Sequence, residues 1–441
     1  MRLPPAPISA DALLVLLVQL AVLLMLALLL GRLAARFGLP AVAGELCVGV
    51  LLGPTVLGHT APAVSGWLVP ADPGQFHLLD SIGLLGVLLL VGMTGVEMDL
   101  ASVRRRGTTA LRIGAAGLAV PFALGVGAGF LVPPRFLPAG TSPLVFALFL
   151  GVAMGVSAIP VIAKTLVDLN LFHRNVGQLT LAAATVDDVF GWLMLSIVAS
   201  IAGAGVRASG IALSLLHLVV FAGLAMAARP LVRVVLRRVD RIAEPGPAIA
   251  AAAVLVLGAS AGSHALGLEP VFGALVAGLL ISASGTVDLA KLAPLRAVVL
   301  AVLAPLFFAT AGLRLDLTAL AHPAVALMGL AALAIAIAGK FSGAFLGARL
   351  SGLNRWESLA IGAGLNSRGV VQIVVATVGL RLGVLSTAAY TIIILVAIIT
   401  SMMAAPILRA AMRRLEQTEE EELRRREREA FTGVRPATGE R

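Results

Sequence analysis

Apolar stretches long enough to cross a bilayer recur from Asp11 to Met412, separated by short linkers that carry much of the charge. A hydrocarbon core about 30 Å thick takes about 20 helical residues, and inside it every backbone amide must be satisfied within the protein. Those conditions leave few folds open. Hydrophobic residues make up 59% of the 441 and charged ones only 13%, more apolar surface than a water-soluble fold can hide. No series of short alternating segments points to a β-barrel, so the expected fold is an all-α polytopic membrane protein. The single cysteine, Cys47, lies within an apolar run, excludes an intrachain disulfide and a cysteine metal cluster, and is expected only to pack.

Thirteen spans are expected, at 11–37, 40–57, 78–98, 108–132, 143–168, 175–203, 211–236, 248–266, 270–284, 297–313, 324–350, 357–379 and 384–412. The first is too long and too weakly flanked for a cleaved signal peptide. With this count, Arg135, Arg207, Arg314 and Arg381 share the side of the N-terminus. The more basic side holds Arg32, Arg36, Arg104, Arg105, Arg106, Arg174, Arg229, Arg233, Lys291, Arg296, Arg349 and the C-terminal arginines. The asymmetry puts the N-terminus outside a bacterial-type plasma membrane and the C-terminus in the cytoplasm. It also accounts for the net charge of +10 without a nucleic-acid partner.

The third and tenth spans both end on Gly-x-x-x-Asp-Leu, at Gly95 to Leu100 and Gly312 to Leu317. Matching them offsets the halves by seven helices, and an odd offset means opposite orientation, the inverted-repeat plan of secondary transporters. The membrane domain, 1–412, then divides into repeat one (12–203), a linking helix (211–236) and repeat two (248–412). The tail, 413–441, is a block of acids and then of arginines, expected to be solvated and too short for a nucleotide-binding regulatory domain. Gly125, Gly127 and Gly129 lie within a span, without the βαβ context of a dinucleotide fingerprint.

Few ionisable residues lie deep: Asp187 and Asp188 in the sixth span, Lys340 in the eleventh, Arg368 in the twelfth, and Glu45 nearer one end of the second. Each such charge costs about 2.5–3.5 kcal/mol on insertion scales, so two adjacent acids mark function. Only Lys164, Lys291 and Lys340 among the 33 basic residues are lysines, which makes Lys340 at membrane depth conspicuous. Neighbours on a helix point about 100° apart, so one aspartate is expected to pair with Lys340 while the other faces a cavity. The free acid is then able to exchange a proton for a cation. Arg368 fits a packing role in the broken helix as well as direct involvement.

Two spans carry helix-breaking chemistry at mid-depth. One has Gly155, Ser157 and Pro160; the other has Asn366, Ser367, Arg368 and Gly369. The seven-helix offset makes them partners, and matched interruptions point to a transport site whose freed carbonyls and half-helix ends coordinate ions.

Pro40-x-Val42-x-Gly44-Glu45 running to Leu52-Gly53-Pro54-Thr55 resembles the second-helix signature of the monovalent cation:proton antiporter-2 family. Gly95-x-Glu97-x-Asp99-Leu100 is similar to that family's third-span ending. Ser157 to Lys164, Gly177-Gln178, Val186-Asp187-Asp188-Val189 and Asn366 to Gly369 resemble its core blocks. The resemblance covers about 12–412. It implies antiport of Na⁺ or K⁺ against H⁺ by a homodimer, with a dimerisation domain and an elevator-like core crossed by two discontinuous helices. By position Asp188 looks like the cation- and proton-binding acid, Asp187 like the partner of Lys340, and Ser157 like a contributor to the site. No cofactor and no covalent catalysis are implied. Two departures stand out: relatives commonly have Asn-Asp or Gln-Asp at the central pair, and Gln372 stands where many carry glutamate. A sodium-coupled symporter for an organic anion needs a roomier polar cavity than this chain offers. A cation channel or sensor sits poorly with a lysine paired at mid-membrane.

Overall fold

The computed structural model describes residues 8–37, 39–69, 72–98, 100–204, 208–286 and 288–422. Of the residues singled out in the sequence, Arg2, Asp99, Arg207 and those beyond Glu422 lie outside them. Among the described residues all regular structure is helical. The first half comprises α1 (Ala10–Arg36), α2 (Ala41–Leu52), α3 (Leu57–Thr60), α4 (Pro62–Leu68), α5 (Pro73–Glu97), α6 (Leu100–Leu131), α7 (Pro143–Gly155), α8 (Ile159–Asp168) and α9 (Asn175–Ala204). Next come α10 (Ala208–Asp240), α11 (Pro245–Ala265), α12 (Pro270–Ser284), α13 (Leu289–Val298) and α14 (Ala304–Gly312). The chain continues with α15 (Pro323–Arg349), α16 (Arg355–Leu365), α17 (Val370–Arg381) and α18 (Thr387–Met412).

Local sequence sets many of the boundaries. Helices α5, α7, α11, α12 and α15 start on proline, whose missing N–H is harmless there. A capping box of Asn354 and Glu357 opens α16, satisfying two otherwise orphaned amides. The tenth span begins at Leu289 rather than at 297, because a π-turn over Val299–Leu303 joins α13 to α14. That turn precedes Pro305 and absorbs the hydrogen bond a proline nitrogen cannot donate. Gly107, at φ 58°, bends α6 where the expected fourth span starts.

Eleven spans in the described residues are long and apolar enough to cross a membrane, and twelve if α16 and α17, bent by 46°, count as one. The remaining span of the sequence count, the ninth, is α12, which at 15 residues extends only ~22 Å. The interruption in the fifth span falls at Val156–Ala158, just ahead of Pro160. Pro160 therefore sits in the first turn of α8, where it starts the second half-helix instead of kinking a continuous one.

The helices sort by contact into two groups. In one, α1, α2, α5, α11, α12 and α14 pack together; in the other, α6, α7, α9, α15, α16 and α18 do. Glycines allow backbone-to-backbone crossings in the first group. A Cβ on Gly49 of α2 would overlap the α14 backbone at Ala309 and Gly312, and one on Gly278 of α12 would overlap the Gly92 carbonyl of α5. Cys47 is exposed on α2.

The start of the tail is also not solvated as expected. Glu421 is buried, paired with Arg174 at 2.9 Å, and accepts from the Asn175 amide at the first residue of α9. An acid at a helix N-terminus meets orphaned N–H groups and the positive end of the helix dipole, which a solvated tail would forgo.

The glycine crossings make a direct test. Gly278→Leu should force α5 and α12 apart and lower stability by about 1–3 kcal/mol or more, read as a drop in Tm in detergent. Gly127→Leu, on an open face of α6, should leave Tm nearly unchanged.

Candidate functional site

The site forms where the two broken spans meet. The Ala158 amide donates to the Ser367 carbonyl at 3.1 Å, and Ser157 Oγ donates to the Leu365 carbonyl at 2.7 Å. Gly369 belongs at this crossing for a steric reason: a Cβ there would come within 2.7 Å of Val161 Cγ2. The sequence pairing of Gly155, Ser157 and Pro160 with Asn366, Ser367, Arg368 and Gly369 thus corresponds to physical contact.

Breaking α7 at Gly155 leaves C-terminal carbonyls without helical partners. Two buried cations take them. Lys340 Nζ donates to the Gly155 carbonyl at 2.6 Å, and Arg368 Nη1 donates to the Ala153 carbonyl at 2.9 Å. Arg368 Nη2 reaches the Ala336 carbonyl on α15 at 3.1 Å, and Ser401 Oγ of α18 donates to the Arg368 carbonyl. The geometry places the Arg368 side chain on backbone oxygens, the packing side of the two roles open to it.

Helix α9 places the two aspartates differently. Asp187 Oδ2 lies 2.5 Å from Lys340 Nζ, with both side chains shut off from solvent. Asp188 is 0% exposed, and neither of its carboxylate oxygens has a fully formed hydrogen bond. The Ile159 backbone amide, at the start of α8, approaches it as a hydrogen-bond donor. An ionised carboxylate so buried and so poorly partnered costs several kcal/mol unless another charge compensates it.

A cavity of about 960 Å³ runs between the two helix groups towards this point. Gln178, Leu181, Ala182 and Thr185 of α9 line it, together with Ile159 and Val370 at the starts of α8 and α17. Steps of three and four residues mark one helix face, and the next position on that face is Asp188. Asp187 is rotated by about 100°, towards α15. The helix period alone therefore gives the adjacent acids separate surroundings.

Other polar atoms converge nearby without partners. Among the described residues, both side-chain polar atoms of Asn366, Ser367 Oγ and Asp187 Oδ1 are buried and unsatisfied. Gln372 is tied by Nε2 to the Ile393 carbonyl at 3.1 Å, while its Oε1 is unpartnered. Ser157 spends its hydroxyl proton on Leu365, so its oxygen is left as an acceptor or ligand. The described residues hold no group of three or more His, Cys, Asp or Glu with multivalent-metal spacing. What the arrangement offers is a set of buried oxygens without partners.

Sequence reasoning did not find two contributors. Ser401 lines the cavity in addition to holding Arg368, and a lone serine in an apolar span carries no periodic signal. Arg381 of α17 pairs with Glu269, the residue before α12, at 2.6 Å, joining the two helix groups. Arg381 lies eleven residues beyond the cavity-lining Val370, so the bond stands on the far side of the site from the cavity. Its partners are 112 residues apart, beyond any local pattern.

Comparison with known proteins agrees with this layout. The family model for the sodium/hydrogen exchanger, transmembrane, matches residues 21–414. A Na⁺/H⁺ antiporter of Synechocystis, NhaS4, is 31% identical over 391 residues, 88% of this chain and 94% of that protein. Cation/H⁺ antiporter 20 of Arabidopsis thaliana is 30% identical over 86% of this chain, and K⁺/H⁺ antiporter 1 of Saccharomyces cerevisiae is 31% identical over 79%. The chain spans less than half the length of these two, 46% and 40%. In fold it is similar to the sodium proton antiporter MjNhaP1 of Methanocaldococcus jannaschii, with a TM-score of 0.66 at 17% identity, covering 92% of this chain and 99% of that one. With a family match over nearly the whole membrane part and two interrupted helices crossing at its centre, the chain belongs to the sodium/hydrogen exchanger family.

Proposed function

We propose that this integral membrane protein exchanges a monovalent cation, Na⁺ or K⁺, for protons by alternating access, with Asp188 as the shared site. One observation carries the reading. Asp188 is fully buried with no side-chain partner, on the α9 face whose preceding positions line the cavity, while its neighbour is committed to Lys340. A proton neutralises that carboxylate covalently; a dehydrated cation neutralises it electrostatically, helped by neighbouring oxygens. Both cannot occupy it together, and that competition couples the two fluxes. No covalent chemistry and no cofactor are needed.

Each residue then has a physical task. Asp187 and Ser157 supply further oxygen ligands, with backbone carbonyls freed at the breaks. Lys340 orients Asp187 and fills the end of α7, and Arg368 holds the crossing together. Gly155, Pro160, Asn366, Ser367 and Gly369 shape the breaks. The positive ends of α8 and α17 point into the crossing and offset an ionised Asp188 when no cation is bound. The Glu269–Arg381 pair closes the face opposite the cavity, and opening the other way requires it to part. With the cavity on the basic side, this state is open to the cytoplasm and the N-terminus lies outside. Plasma-membrane location and a homodimer rest on the family resemblance.

In proteoliposomes with an imposed pH gradient, Asp188→Asn should bring cation-driven proton movement down to that of empty liposomes while the protein still elutes as folded. Exchange at the wild-type rate would remove Asp188 from its role. Lys340→Ala strands a buried carboxylate and should cost about 3–5 kcal/mol of stability. Removing both charges in Asp187→Asn/Lys340→Met should recover most of that loss, and thermal unfolding of the four proteins measures the coupling. For the far-side closure, Arg381→Gln should expose Val384→Cys, placed in a Cys47→Ser background, to a membrane-impermeant thiol reagent. Val384 is 4% exposed now, and unchanged labelling would show that the pair is no gate.

A further inference from the structure

Two acids line the cavity, Glu97, which is paired with Arg296, and Glu45, which the central site does not use. Glu45 lies on α2, with Val42 three residues before it also lining the cavity. Beyond it α2 turns to solid packing: Val48 is 0% exposed and Gly49 abuts the α14 backbone. Glu45 is therefore the innermost cavity-facing side chain of α2. Among the described residues its carboxylate takes no hydrogen bond or ion pair. A structural carboxylate in an apolar span would have such a partner, because burial without one is costly.

The position is specific as well. Helices α2 and α9 both start on the cavity side. At 1.5 Å per residue Glu45 lies ~6 Å from the start of its helix and Asp188 ~20 Å from the start of its own. Glu45 thus stands between the mouth and Asp188, on the opposite helix group. The mouth is basic. Arg296 of α13 is paired with Glu97 of α5 at 2.5 Å, and Lys164 of α8 and Arg409 of α18 also line the cavity. Of the helices packed directly on α2, α1 brings Arg32 and Arg36 near its end, α14 brings no charged residue, and α3 brings His59 beyond the far end of α2 from the cavity. Among the described side chains lining the cavity, the first unpaired carboxylate that a cation meets past this positive rim is Glu45.

We propose that Glu45 is an accessory binding site of the inward path, where a partly hydrated monovalent cation or a proton is held before transfer to Asp188. The inference rests on the antiport reading and deepens it. Because Glu45 sits in the helix group that does not carry Asp188, the handover crosses the boundary between the groups, and recruitment is separate from translocation.

The test is exchange kinetics in proteoliposomes for wild type, Glu45→Gln, Glu45→Asp and Asp188→Asn, with Na⁺ and with K⁺. Glu45→Gln should raise the KM for the transported cation several-fold and displace the pH profile, with the maximal rate largely kept. Glu45→Asp, which keeps the charge, should restore most of the KM. An unchanged KM and pH profile in Glu45→Gln overturns the proposal, as does a lowered maximal rate alone that aspartate does not rescue. In either case an active wild type and an inactive Asp188→Asn leave the antiport reading standing. A wild type without cation-driven proton movement overturns both. A second measurement needs no variant. A carbodiimide should modify Glu45 in the wild-type protein, and Na⁺ or K⁺ near KM should protect it, as read by mass spectrometry. Modification indifferent to the cation also overturns the proposal.

Discussion

The structure depends on two buried cations seated at the end of an interrupted helix. A helix that stops inside a membrane leaves carbonyls facing no water, and such a break survives only where protein groups satisfy them. Here the Lys340 ammonium takes the Gly155 oxygen and the Arg368 guanidinium takes that of Ala153. They come from different spans, so the broken helix is held from two sides. Their charges then need answering. Asp187 answers Lys340 directly, and with Asp188 ionised the four buried groups sum to zero.

That balance explains how two acids in one helix can be tolerated without being equivalent. The ammonium fixes Asp187 and leaves Asp188, one residue on, at the inner end of the helix face that lines the cavity. A change at Asp188, by proton or cation, alters the charge of a set whose other members are locked into hydrogen bonds. The response must therefore be taken up by movement of the crossing as a unit, or by the solvent path itself. Sparse contact between the two helix groups, set against dense packing within each, is the mechanical counterpart.

Much of this was legible in the sequence, for identifiable reasons. Spans, deep charges and the two interruptions are local, and membrane burial makes each polar exception stand out against an apolar background. That one of the two aspartates pairs with Lys340 was legible because lysines are so rare in this chain, and the family resemblance pointed to Asp187. The position of a break within its motif was not: Pro160 looked like the breaker, yet it begins α8, because proline is favoured in a first turn. Nor was the docking of Glu421 on α9 legible, since a run of charges reads as solvated unless its partners are known. Long-range pairs such as Glu269–Arg381 leave no periodic trace at all.

The same balance bears on why this chain carries Asp-Asp where some relatives have an uncharged residue first. Replace Asp187 by asparagine in this arrangement and Lys340 is left with the Gly155 carbonyl, beside an Arg368 that has only backbone oxygens as partners. Two buried positive charges would then face one carboxylate. Asp188 would be drawn into compensating them and would no longer be free to choose between a proton and a cation. The first aspartate thus answers the cations that hold the helix break and, under the proposed antiport, leaves the second one available for exchange.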